Sequence, residues 1–175
     1  MLTDEQMRYP IGKYQAPENI TKEIITGWID RIRALPGKVR SATESLTDAQ
    51  LDTPYRNGGW IIRQVVHHIP DSHMNSLMRF KWAMTEDNPT IKPYDEAGFA
   101  KLADYKLPIA SSLTLLDGIH EHMVALFESF TDADLERTFT HPESKETNPL
   151  KKIIGLYAWH GDHHLAQITE TVKKF

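Results

Sequence analysis

Apolar residues return at three- and four-residue steps over four long stretches, and each stretch reads as an amphipathic helix. The first runs from about Lys22 to Leu46, with Thr21 as its N-cap and Ile25, Trp28, Ile32, Leu35, Val39, Ala42 and Leu46 on one stripe. Pro36 lies inside it and is expected to kink or interrupt it, because proline removes a ladder N–H and crowds the preceding turn. Thr47 and Gln50 have the spacing of a capping box for a short turn, and Thr53-Pro54 with Asn57-Gly58-Gly59 marks a loop. A second helix is expected from near Trp60 to about Met84, with Ile62, Val65, Ile69, His73, Leu77 and Phe80 on one side and a bend at Pro70. Breakers at Asn88-Pro89, Pro93 and Pro108 make 85–108 a crossover connection, with a short helix over Asp95–Asp104. A third helix follows Ser111 or Ser112 and carries Leu113, Leu116, His120, Met123, Phe127 and Phe130. Asn148 and Pro149 suit the N-cap and first turn of a fourth, which turns Leu150, Ile153, Ile154, Tyr157, Gly161, His164, Leu165, Ile168 and Val172 towards the core.

Four such helices, an extended lead-in over the first twenty residues and almost no strand signal predict an all-α protein. The expected architecture is a four-helix bundle with one long crossover between the second and third helices. No repeat or linker divides residues 1–175, so one domain is expected.

Composition narrows the function. With 20 Lys+Arg against 24 Asp+Glu the formal charge is −4, which argues against tracking a phosphate backbone, so no nucleic-acid partner is expected. No apolar run has the length of a membrane span and the N-terminus lacks a signal-peptide core, which predicts a cytoplasmic protein without membrane association. The absence of Cys excludes disulfides, thiolate metal sites and thiol nucleophiles. What changes the picture is nine His, clustered in HHIPDSH at 67–73 and HGDHH at 160–164.

On the fourth helix His160 and His164 are one turn apart on one face, spaced to grip one ion, whereas His163 is rotated away with Leu156 and Glu170. An exposed face carrying imidazoles is the ordinary alternative. Against it, His164 falls within the apolar stripe, where an unpaired imidazole is costly, and Gly161 leaves space over the pair. On the second helix His68, Ser72, Asn75 and Arg79 form a polar stripe, either a solvated edge or the wall of a pocket headed by His68. His67 shares a face with Asp71, Met74 and Met78 and reads as a partly buried structural histidine. His120 reads as a satisfied core histidine, with a base or hydrogen-bond donor beside a metal as the sharper option. Three neutral imidazoles suit zinc, nickel or copper, and three protein ligands leave a position for water or substrate. Gly161 occupies the position at which an HExxH peptidase carries its glutamate, so that mechanism is not supported.

The segments YPIGKY at 9–14, LDTPYRNGGWIIRQVVHHIPDSHMNS at 51–76, KPYDE at 92–96 and GLYAWHGDHHLAQIT at 155–169 resemble the DinB-like four-helix proteins. The resemblance is to the YfiT-like metal-dependent hydrolases, a group that includes bacillithiol S-transferases. It implies a metal triad of His68, eight residues after Trp60, with His160 and His164, one zinc or nickel ion per chain, and a homodimer. Pro70 departs from the family's pattern. Three functions follow as expectations. One is a hydrolase whose metal activates water. Another is a transferase in which a low-molecular-weight thiol attacks an electrophile. The third is a non-catalytic metal-binding bundle. Each enzyme would take a small-molecule substrate, with Asn75 and Arg79 as candidates to orient it.

Overall fold

The computed structural model describes residues 2–143 and 145–175. In chain order the elements are α1 Asp4–Arg8, α2 Lys22–Thr43, α3 Asp48–Leu51, α4 Ile62–Thr85, α5 Glu96–Phe99, a 3-10 turn Ala103–Lys106, α6 Ala110–Glu128, α7 Asp132–Leu135, β1 Thr138–Thr140, β2 Thr147–Pro149 and α8 Leu150–Val172. Helices α2, α4, α6 and α8 form the expected bundle. Helices α2 and α4 each pack on both α6 and α8, so these two consecutive long helices stand diagonally across it.

Thr21 caps α2 as expected, its hydroxyl accepting from the Ile24 N–H, but the helix stops at Thr43 rather than Leu46. Both internal prolines sit in uninterrupted helices, so of the kink or interruption expected at Pro36 the interruption does not occur; packing on two neighbours outweighs one missing ladder bond. Helix α4 begins at Ile62, later than Trp60, because the Trp60 carbonyl accepts from the Tyr55 N–H and closes the preceding loop. The single short helix expected over Asp95–Asp104 is two separate turns, α5 and the 3-10 turn. Asn148 is not the N-cap of α8. It lies in β2, paired with Phe139 of β1 in an antiparallel ribbon, and Pro149 takes the cap position. The lead-in is not wholly extended either, since Thr3 and Gln6 form a capping box that starts α1, and Met7 is buried. Among the described residues no helix is long and apolar enough to cross a membrane.

The apolar core is in two parts. One gathers Trp28, Ile32, Phe80, Met123, Phe127, Ile154 and Tyr157, the other Leu35, Val39, Ile62, Ile69, Leu116 and Ile168. On α4 His73 lies between Ile69 and Leu77, on α6 His120 lies between Leu116 and Met123, and on α8 the His160/His164 turn lies between Tyr157 and Ile168. The bundle therefore carries a layer of imidazoles where its two cores meet. Close approach of α2 to α8 depends on glycine: a Cβ at Gly155 would come 2.7 Å from the Trp28 ring and 2.6 Å from the Tyr14 hydroxyl. Gly155→Ala should cost about 1–3 kcal/mol through overpacking, read as a lower urea midpoint at unchanged slope.

Candidate metal centre

Helix α8 presents His160 and His164 one turn apart, and α4 brings His68 against them from across the bundle. One ligand-capable atom from each of the three falls within 4.8 Å of the others. His68 Nε2 lies 3.3 Å from His160 Nε2. Two nitrogens on a tetrahedral ion at the usual zinc–imidazole distance stand about 3.3–3.4 Å apart, so this edge is already spaced for a metal. His68 and His164 are buried and His160 is partly exposed.

The outer nitrogens explain why the rings face inward. The Ile32 carbonyl can only accept, so His120 Nδ1 carries the proton of that bond. His120 Nε2 must then accept from His73 Nδ1 at 2.8 Å, and His73 Nε2 from His160 Nδ1 at 3.1 Å. The chain of donors leaves His160 Nε2 with a free lone pair towards His68, the tautomer a metal requires. Its anchor is supplied by Pro36. In a helix the Ile32 carbonyl would bond the N–H of residue 36, and proline has none. The carbonyl that Pro36 frees is the one that His120 takes.

His164 is held similarly. Its Nδ1 donates to Gln167 Oε1 at 2.8 Å, while Gln167 Nε2 donates to the Arg8 carbonyl at 3.2 Å and to His163 Nε2 at 3.1 Å. The N-terminal segment thus reaches the site through one carboxamide. His163 is not turned outward as its helical angle suggested. It is 7% exposed, stacked on Trp159 and facing Tyr9, because residues 7–14 cover that side of α8. It stays outside the three-nitrogen cluster. His68 Nδ1 is buried with no hydrogen-bond partner among the described residues.

Burial governs the charge of this layer. It pushes the His68 imidazolium pKa down to about 4, with a smaller contribution from His163. His160 and His164 are held well below the usual histidine range by burial first and by neighbouring imidazoles second. His120 also falls to about 4 through burial, partly offset by its bond to the Ile32 carbonyl. All are therefore neutral at pH 7, the form that ligates.

A cavity of about 350 Å³ opens onto the cluster and is lined by His68, His160, His163, His164, Trp60, Trp159 and residues of the 55–59 loop. A larger groove, about 790 Å³, lies beside Arg63 and contains none of the histidines. Of the polar stripe on α4, Ser72 reaches the cluster, its Oγ 3.4 Å from His160 Nε2. Asn75 instead donates to the Asp71 carbonyl, and Arg79 reaches the Tyr157 hydroxyl and the Lys92 carbonyl; neither lines the cavity. His67 is structural as expected. It donates through Nε2 to the Leu107 carbonyl at 3.0 Å and accepts at Nδ1 from Ser112 at 2.6 Å, fastening the crossover to α4 and α6. Sequence reasoning missed His73, placed in the apolar stripe. The signal was present, since His73 and His120 both stand at core positions where an imidazole needs a partner.

A four-helix bundle with a histidine cluster gathered from two of its helices defines a class of metal-site four-helix proteins. The chain belongs to the DinB superfamily, whose family model matches residues 31–168. It is 57% identical over 165 residues to a Bacillus mycoides (strain KBAB4) protein named "Putative metal-dependent hydrolase", covering 94% of this chain and 95% of that one. A Bacillus pumilus (strain SAFR-032) protein of the same name is 48% identical over 168 residues, 96% of each chain. Among solved structures it is similar to YfiT from Bacillus subtilis, described as a probable metal-dependent hydrolase with an unusual four-helix bundle topology. That match has a TM-score of 0.94 and 47% identity and covers 97% of both chains.

Proposed function

We propose that this protein is a metal-dependent hydrolase whose ion, zinc or nickel, is held by His68, His160 and His164. The observation that carries the reading is the 3.3 Å separation of His68 Nε2 and His160 Nε2, with the latter's lone pair directed inward by a defined donor chain. The names of the relatives and of YfiT support it. When bound, such an ion would supply Lewis acidity and would lower the pKa of water to about 7. The residues of this chain do the rest. The three imidazoles bind through neutral nitrogens, while His73 and Gln167 keep two of those rings from rotating. Ser72 Oγ stands close enough to hold a proton-bearing group beside His160. Trp60, whose ring centroid is 4.8 Å from that of His68, walls the cavity and limits water.

The test is turnover of a p-nitrophenyl ester by metal-loaded protein, with and without added thiol. Hydrolysis that requires the ion and no thiol is the expected result. Consumption of thiol with the electrophile monochlorobimane, and no ester hydrolysis, would replace this reading with thiol transfer. Neither reaction in stoichiometrically loaded protein would leave a binding role.

A further inference from the structure

Two guanidinium groups in the histidine cavity have no carboxylate partner. Arg31, Arg33, Arg40 and Arg63 each meet an aspartate or glutamate within ion-pair distance. Arg8 and Arg56 line the cavity and, among the described residues, neither forms an ion pair. Arg79 and Arg137 likewise form no ion pair among the described residues, and what sets Arg8 and Arg56 apart is that both line the histidine cavity.

Arg56 is also held in place. Its guanidinium lies 5.4 Å from the centroid of the Tyr55 ring, and Nη1 donates to the Asn57 carbonyl at 2.9 Å. The backbone makes room for it. A Cβ at Gly59 would come 2.7 Å from Arg56 Cγ, and Gly58 has φ +65, a left-handed conformation that glycine adopts without strain. The loop is closed by the Tyr55 N–H to Trp60 carbonyl bond and the Ile62 N–H to Thr53 carbonyl bond, each 3.1 Å. So fixed, Arg56 nevertheless keeps a buried Nε with no hydrogen-bond partner. An unsatisfied donor on a cation is costly unless an acceptor arrives. Arg8, the last residue of α1, lines the same cavity, and its carbonyl accepts from Gln167. Glu96 is the carboxylate on the cavity lining and pairs with neither arginine.

We infer that Arg56, assisted by Arg8, forms an oxyanion subsite that holds a carboxylate or phosphate group of a small substrate beside the histidine cluster. Guanidinium offers paired N–H donors to such a group, and of those on Arg56 Nε is buried without a partner while Nη1 donates to the Asn57 carbonyl. The inference rests on the hydrolase reading for its choice of a small substrate, and it gives that substrate a negatively charged end.

The experiment titrates metal-loaded protein with inorganic phosphate and, separately, with succinate, by calorimetry. Arg56→Gln should weaken the better of the two anions about tenfold or more, the loss expected for one charge-assisted hydrogen bond. Arg8→Gln, on the exposed rim, should weaken it about threefold. Arg56→Lys keeps the charge but not the paired donors and should fall between wild type and Arg56→Gln. Metal content, measured on each preparation, separates anion binding at arginine from anion binding at the ion. Preference for phosphate or for succinate identifies the group the subsite takes. If Arg56→Gln does not fold, the Arg8→Gln and Arg56→Lys titrations decide. Equal affinity in wild type and every folded variant, or no binding of either anion by wild type, overturns the inference. Ester turnover without arginine-dependent binding sinks the subsite and leaves the hydrolase reading standing. Arginine-dependent binding in a protein that hydrolyses nothing does the reverse.

Discussion

His160→Ala should lose tight metal binding, with the dialysed protein retaining less than about a tenth of the wild-type ion content, whereas His163→Ala should keep the ion. His160 supplies a nitrogen on the 3.3 Å edge to His68, and His163 lies outside the cluster with its Nε2 bonded to Gln167. The expectation extends along the donor chain. His73→Ala removes the acceptor of His160 Nδ1 at 3.1 Å and frees the ring to turn, so affinity should fall about 10–100-fold. Pro36→Ala returns an N–H to the Ile32 carbonyl, giving it a second claimant beside His120. It should weaken the metal less than His73→Ala does. The absorption spectrum of cobalt-loaded protein separates positioning from simple damage. A displaced His160 changes the visible bands even where the helix content in circular dichroism is unaltered. Equal ion loss in His160→Ala and His163→Ala would show that the wrong face of α8 was assigned.

Acid should unfold the metal-free protein over a window set by its buried histidines. Burial holds His68, His120 and His163 at about 4, against 6.5 for histidine in an unfolded chain. Between those values the unfolded chain takes up protons that the folded one refuses, so stability rises with pH there. It is therefore full above about pH 6.5 and is lost progressively as the pH falls towards 4. His68 alone, buried and shifted by more than two pH units, contributes a loss on the order of 3 kcal/mol at the acid end. A bound ion favours only the folded state, so loading should move the acid midpoint downwards. Urea midpoints followed by tryptophan fluorescence from pH 7 to pH 4, with chelator and with zinc, check both statements. A midpoint that does not fall between pH 6.5 and 4 in the metal-free protein would contradict the neutral-imidazole layer.

The four long helices were legible because each has to bury one face, and a 3.6-residue period records that requirement in the order of the residues. His160 and His164 were legible for the same reason, since two positions on one helix have a relation that needs no tertiary knowledge. His68 was marked by its polar stripe and by resemblance. What no periodicity could express is which surfaces meet. The placing of α2 diagonally from α4, the cover that residues 7–14 lay over α8, and the loop that holds Arg56 all follow from contacts between segments far apart in the chain. His163 faced outward on its own helix and became buried only when that cover was in place. Pro36 carried a local instruction to break a helix, and packing on α6 and α8 overrode it. The missing N–H remained, and it matters only because α6 brings His120 to the carbonyl it left free. Helical period and residue chemistry are properties of neighbours along the chain, and they were written in the order of residues. For His67, His68, His73, His120 and His160 the partner lies on another element, up to 92 positions away for His68 and His160, and so it was settled by packing.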